Sequence, residues 1–311
     1  MSKVEKQVYL NGGWVADSDA KISIHDRGFT AGDAVYEAIR TFNLKPFRMR
    51  EHLQRLMNSL RVARIDTGLT IDEMGRIVEE CVARNKPVFR EGEDFKVYPI
   101  ISRGQSMKSG SATVIFTPKA ISWREYADFY ATGAHLVTTS VRKQPPEVYD
   151  AKIKSVSRFH HTLADMEAAQ VDPRAYCLML DMDGNVAENR SSNICIVRKG
   201  RIETPSAKSC LRGITTDVVF ELAEQLGIAA VEKDIQLYDV INADEVFLTA
   251  TSFCVLPVTR LNSARICVDR CPGPIATRLL EAFSQQAGLD VVDQALRMTN
   301  AGERKEHANA A

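Results

Sequence analysis

The chain's chemistry is best looked for at Lys154, in the run Asp150-Ala-Lys-Ile-Lys-Ser-Val-Ser157. A short strand-like stretch ends at this lysine, and an amphipathic helix pattern follows it. There Phe159, Leu163 and Met166 fall four and three residues apart, on one helical face. A lysine at a strand end beside small hydroxylated residues can be partly desolvated; its ammonium then loses its proton more easily and becomes a usable nucleophile. The plain alternative is a solvated surface lysine. Lys152 is a rival, because strand alternation puts both lysines on one face and cannot choose between them.

Other residues invite a role by type and place. Glu188 lies 34 residues beyond Lys154 (188 − 154), after a hairpin that turns at Asp183-Gly184-Asn185. Arg50 and Arg55 sit on a helix and read, on composition, as solvated charges. Gly213 frees the backbone and Thr215 stands at a helix start, where unpaired N–H groups and the positive end of the dipole suit a phosphate. Thr251 and Ser252 end a strand with hydroxyls. Tyr36 and Arg40 lie on a half-buried strand, where core packing is the ordinary reading for Tyr36. The adjacent His160 and His161 point in different directions on a helix, which argues against a shared metal, and no metal is expected.

Composition narrows the classes. The 311 residues allow a large core and two domains, with 45% hydrophobic and 26% charged residues. Lys+Arg 40 balances Asp+Glu 40 without a long basic run, so nothing supports nucleic-acid or membrane-surface binding. No apolar stretch reaches membrane-span length, and the N-terminus lacks a signal-like apolar segment. Seven scattered cysteines without a CxxC pair suggest reduced thiols and a cytoplasmic protein.

The elements that must position these residues follow from patterning. A hairpin is expected over Val8–Val15, a strand at Ile22–Ile24, a strand over Gly32–Arg40, and a helix from Phe47 to about Val62. A second helix is expected at about Ile71–Asn85, then strands over Phe95–Ser102 and Ala112–Phe116. The expected division is a small N-terminal domain over 1–120, an aromatic connector over 121–134, a larger domain over 135–290 and a polar tail over 291–311. The tail reads as disordered from about Met298. Strands at His135–Val141, Ser191–Val197 and Asp244–Ser252 and helices after Lys154, at Thr215 and at Gly273 fill the second domain.

The run Ile153-Lys154-Ser155, then Leu163-Ala164 and Glu167-Ala168, resembles the catalytic-lysine segment of the class IV aminotransferases, the fold-type IV pyridoxal-phosphate enzymes. The resemblance extends over roughly residues 8–288, with its motifs in family order. It implies a two-domain α+β chain with pyridoxal 5′-phosphate in the interdomain cleft, and a homodimer whose partner helps wall the pocket. Motif register favours Lys154 over Lys152 as the lysine that holds the cofactor. Val186-Ala-Glu-Asn-Arg-Ser-Ser-Asn193 resembles the family's Glu-x-x-x-x-Asn signature and implies that Glu188 faces the pyridine nitrogen. By the same resemblance Arg55, in Glu51-His-x-x-Arg-Leu56, binds the phosphate together with Gly213, Ile214, Thr215, Thr251 and Ser252. Leu211 packs on the ring.

Substrate residues are less tightly matched. Tyr36-Glu-Ala-Ile-Arg40 resembles the pocket strand of branched-chain members, with Ala38 standing where they carry glycine. Aligning on Arg103-Gly104 puts Lys96 and Tyr98 where they place a tyrosine and an arginine for the substrate carboxylate, and leaves Lys108 or Arg40 as further candidates. The expected reaction moves an amino group between an amino acid, with branched-chain or related L-amino acids favoured, and a 2-oxo acid such as 2-oxoglutarate. An (R)-amine or D-amino-acid transaminase is second. An aminodeoxychorismate lyase is third, prompted by Arg158 four residues after the lysine. An inactive cofactor-binding protein is the non-enzymatic alternative.

Overall fold

The computed structural model describes residues 5–107, 110, 112–266 and 270–309, with side chains as far as residue 300. Lys108 lies outside the described residues. The chain divides into two compact units, Met1–Ile121 with Ile153–Arg158, and Ser122–Lys152 with Phe159–Ala311. The segment that carries Lys154 thus belongs to the first unit although the second surrounds it in sequence.

In the first unit, β1 (Gln7–Leu10) and β2 (Gly13–Ala16) form the expected hairpin. A short helix α1 (Arg27–Ala31) precedes β3 (Ala34–Tyr36), β4 (Ile39–Phe42) and β5 (Lys45–Pro46). Helices α2 (Met49–Ala63) and α3 (Ile71–Asn85) are followed by β6 (Phe95–Ser102) and β7 (Thr113–Ala120). Among the described residues the sheet runs β2-β1-β7-β6-β4-β5, with β3 also paired to β6, and every pairing is antiparallel. The apolar stripes of the helices, Leu53, Leu56 and Leu60 with Met74, Val78 and Cys81, pack on Phe95, Val97 and Phe116 to make one core. α3 starts where Thr70 and Glu73 cap each other reciprocally.

Two expectations change here. Ile22–Ile24 is not a strand, and Ile24 is 72% exposed. The run Gly32–Arg40 is broken at Glu37 and Ala38: Glu37 N still donates to Pro99 O at 2.9 Å, but Pro99 has no N–H to return the bond.

The second unit begins with the aromatic stretch after Ser122 and α4 (Phe129–Thr132), in which Trp123, Tyr126 and Tyr130 are buried. β8 (Ala134–Arg142), α5 (Phe159–Val171) and β9 (Tyr176–Leu180) form a strand–helix–strand unit whose strands are parallel. β10 (Asn193–Arg198) and β11 (Arg201–Thr204) are a hairpin, and α6 (Ile214–Gln225) carries the chain to β12 (Ala230–Glu232), parallel to β11. The unit continues through α7 (Leu237–Ile241), β13 (Glu245–Ala250), β14 (Cys254–Leu261) and β15 (Ala264–Arg265) to α8 (Pro274–Ala287) and α9 (Val291–Asn309). Among the described residues the sheet order is β12-β11-β10-β13-β14-β8-β9, with β15 paired to β14. The stretch expected as a disordered tail is helical as far as Asn309.

α5 also reverses a natural inference from its pattern. Its buried side is His161, Ala164 and Ala168, and the two alanines let the helix close onto Val137, Cys177 and Met179. Phe159, Leu163 and Met166 share the opposite, exposed side, at 76%, 41% and 61% exposure.

Candidate active site

The lysine segment is held to the first unit by its backbone. Tyr36 N donates to Lys154 O and Val156 N donates to Ala34 O, each at 3.0 Å. Lys154 N donates to Ser59 Oγ on α2 at 3.3 Å. Ser157 Oγ donates to Gly32 O at 2.9 Å. Gly32 has φ +64, and a Cβ there would lie 2.3 Å from Ser157 Oγ, so the approach needs glycine. Lys154 does not end a strand, because only Ser155 makes a bridge, to Val35. Its Nζ lies 4.8 Å from the centroid of the Tyr36 ring. The rival Lys152 is exposed and paired with Asp150 at 3.0 Å. Geometry separates the two lysines where alternation could not.

Arg55 is oriented by a buried carboxylate that the sequence reading passed over. Its Nε and Nη2 donate to Glu37 Oε1 and Oε2 at 2.6 and 3.0 Å, a two-point clamp that fixes the guanidinium plane. His52 Nδ1 lies 2.8 Å from Glu37 Oε2. Burial pushes the Glu37 carboxyl up, but the Arg55 guanidinium and His52 outweigh it and hold the group well below the usual carboxylate range. Burial depresses His52 against the pull of Glu37, which leaves a neutral ring whose Nδ1–H donates to that carboxylate. The signal was available: Glu37 stands inside Tyr36-Glu-Ala-Ile-Arg40, and His52 inside the segment that marked Arg55.

Residues expected to meet substrate also lie in this unit. Tyr36 and Tyr98 stack with centroids 6.3 Å apart. Arg158 Nη1 donates to Tyr36 Oη at 2.5 Å. Lys96 Nζ lies 5.6 Å from the Tyr98 ring centroid. Arg40 is directly opposite Lys96 across β4 and β6, but it is 1% exposed, with its guanidinium 4.3 Å from the Phe42 ring centroid. Ala38 follows the Glu37 clamp, its N donating to Glu37 Oε2 at 3.2 Å.

The second unit holds the remaining set. Glu188 is 6% exposed and bridges to Asn193, which accounts for the five-residue spacing of the pair. Leu211 N donates to Glu188 Oε2 at 3.0 Å, and Asn193 Nδ2 donates to Leu211 O at 2.7 Å. Lys143 Nζ lies 2.6 Å from Glu188 Oε1. Gly213 is the N-cap of α6 and supplies no side-chain cap, while Ile214 and Thr215 open the helix. A Cβ on Gly213 would sit 2.2 Å from Asn193 Oδ1. Thr216 Oγ1 and Thr249 Oγ1 are 2.8 Å apart, which ties the start of α6 to the end of β13, next to Thr251 and Ser252. Tyr126 Oη donates to Ser252 O at 2.9 Å and braces that turn. The sequence singled out neither Lys143 nor Tyr126, one being a charge in the run before Lys154 and the other an aromatic of the connector.

This donor set suits a phosphorylated pyridine. Within the second unit, a helix start with an uncapped glycine and nearby hydroxyls matches a phosphate, and a buried carboxylate matches a protonated ring nitrogen. Residues 34–261 match the family model described as amino-transferase class IV. A protein of Methanocaldococcus jannaschii, whose name provisionally assigns it as a branched-chain-amino-acid aminotransferase, is 33% identical over 93% of this chain and 100% of its own. The T.th. branched-chain amino acid aminotransferase complexed with N-(5′-phosphopyridoxyl)-L-glutamate has TM-score 0.80 and 29% identity, covering 91% of this chain and 95% of that one. The branched-chain aminotransferase of the archaeon Thermoproteus uzoniensis, solved with norvaline, has TM-score 0.81 and 25% identity over 93% and 96%. With the family model covering well over half of its length, this chain belongs to the class IV aminotransferases.

Proposed function

We propose that this class IV aminotransferase takes branched-chain or related L-amino acids as amino donors and a 2-oxo acid such as 2-oxoglutarate as acceptor. Its class sets the chemistry, a pyridoxal-phosphate-dependent transfer of an amino group between an amino acid and a 2-oxo acid. When bound, the cofactor supplies an electron-accepting ring that lowers the barrier to proton loss from the substrate α-carbon. With the cofactor bound, Lys154 Nζ would hold it and would carry a proton between the substrate α-carbon and the cofactor's C4′. Glu188 keeps the ring nitrogen protonated. Arg55 and the residues Gly213, Ile214, Thr215, Thr251 and Ser252 hold the phosphate, and Leu211 packs on the ring. Tyr36, Ala38 and Tyr98 shape the substrate pocket, where Lys96 supplies positive charge for a carboxylate; Arg40, buried against Phe42, does not take the role expected of it.

The observation that carries this assignment is Glu188, a buried carboxylate fixed by Leu211 N and Asn193 and standing at the spacing from Lys154 that the family uses. The donor preference rests on the relatives, one of which binds a phosphopyridoxyl glutamate and another norvaline. The assembly proposed is a homodimer, for which the exposed side of α5 (Phe159, Leu163 and Met166) is the apolar surface offered. A cytoplasmic location fits described cysteines that form no disulfide among themselves and described helices none of which is long and apolar enough to cross a membrane.

The test is a half-reaction screen that follows the visible absorbance of the lysine-bound cofactor with L-leucine, D-alanine, (R)-1-phenylethylamine and aminodeoxychorismate. Rapid bleaching by L-leucine, reversed by 2-oxoglutarate, is the expected result. Bleaching by D-alanine or the (R)-amine alone would overturn the donor assignment. Pyruvate release from aminodeoxychorismate would make the enzyme a lyase.

A further inference from the structure

Lys143 is a buried ammonium that none of the roles above uses. It lies just past β8 and is 3% exposed. Its Nζ is 2.6 Å from Glu188 Oε1 and 3.0 Å from His161 Nε2. His161, itself 4% exposed, has Nδ1 3.2 Å from Arg190 O. That carbonyl can only accept, so Nδ1 carries the ring proton and Nε2 presents a lone pair to Lys143. The ammonium therefore donates to a carboxylate on one side and to a neutral imidazole on the other. Leu211 N and Asn193 Nδ2 donate to the other oxygen of Glu188, at 3.0 and 3.4 Å. The neighbouring Cys210 does not compete for the cation, since burial and then the Glu188 charge push its thiol far above the ordinary range.

We propose that Lys143, oriented by His161, is a positioning residue that keeps the negative charge on Glu188 and so keeps the shared proton on the cofactor's ring nitrogen. This rests on the assignment of Glu188 to that nitrogen. A carboxylate and a protonated pyridine in a low-dielectric site can cancel their charges by moving one proton from nitrogen to oxygen, which removes two buried charges at once. A second cation on the same carboxylate opposes that transfer, because protonating Glu188 would leave the buried Lys143 ammonium without its counter-charge. The ring then remains the stronger electron acceptor. A structural salt bridge needs only Lys143 and Glu188; the imidazole, fixed in its tautomer by a main-chain carbonyl, gives the ammonium a direction.

The experiment loads the enzyme with cofactor labelled with 15N in the ring and records the ring-nitrogen shift in wild type, Lys143→Met and Lys143→Arg. The expected result is a protonated-ring signal in wild type and Lys143→Arg, and a move toward the unprotonated position in Lys143→Met. Cofactor bound through Lys154 with the same protonated signal in all three would overturn the proposal and leave the function standing. Failure of wild type to form the lysine-bound absorbance would instead overturn the function. If Lys143→Met does not fold when loaded, the apoproteins decide. The unfolding temperature of Lys143→Met should fall, and that of Lys143→Met/Glu188→Gln should recover most of the loss. Strictly additive losses would overturn the pairing on which the proposal depends.

Discussion

Replacing Glu37 by glutamine removes the charge that orients Arg55 while leaving a side chain of nearly the same shape. Breaking a buried pair in this way costs about 3 kcal/mol, read as a lower urea midpoint with unchanged slope. Cofactor affinity should fall at least about tenfold, since about 1.4 kcal/mol of lost phosphate binding suffices. The same triad fixes a pH dependence. His52 is depressed in the folded state, so below its ordinary value of 6.5 the unfolded chain binds a proton that the native one does not. Stability contributed by His52 is therefore present above 6.5 and is lost as the pH falls through the lower native value. Glu37, also depressed, adds a loss in the same direction below its ordinary 4.5. The melting temperature should drop between pH 7 and 5 in wild type and drop less in His52→Gln. At this scale the sequence singled out Lys154, Arg55 and Glu188 as candidates because their neighbours form motifs. It hid Glu37, His52 and Lys143, whose roles come from burial and from partners such as Arg55 on α2 or His161 on α5.

At the scale of elements, the start of α6 is the sensitive point. Gly213→Ala places a methyl group 2.2 Å from Asn193 Oδ1, on the side chain that ties Glu188 to Leu211. The helix retains its cap geometry, with Gly213 at φ −79, so the helical content should be unchanged. Cofactor affinity should fall by more than about tenfold, measured by equilibrium titration. Tyr126→Phe removes the donor to Ser252 O and should cost about 1 kcal/mol in thermal unfolding. Legibility followed local determinism. α3 and β6 have the bounds expected of them; the start of α3 is fixed locally by the reciprocal Thr70–Glu73 cap. The break at Glu37 and the irregular path of Lys154 were not legible, since tertiary partners override the strand pattern there.

For the whole molecule, the exposed side of α5 carries the proposed assembly. Leu163→Glu with Met166→Lys should halve the mass seen by sedimentation while preserving the circular dichroism spectrum, because neither side chain contributes to the buried side of that helix. Periodicity identified the stripe; the small Ala164 and Ala168 decided which side the sheet takes. The two-unit organisation was legible from length and element order, but the return of Ile153–Arg158 to the first unit was not, because it depends on backbone bonds to Ala34 and Tyr36. The central claim is that Lys154 is the lysine that holds the cofactor. Borohydride reduction of the holoenzyme followed by peptide mass mapping tests it most directly. A single reduced phosphopyridoxyl group on Lys154, absent in Lys154→Ala, is the expected result; the group found on Lys152 or Lys143, or retained in Lys154→Ala, would contradict the assignment.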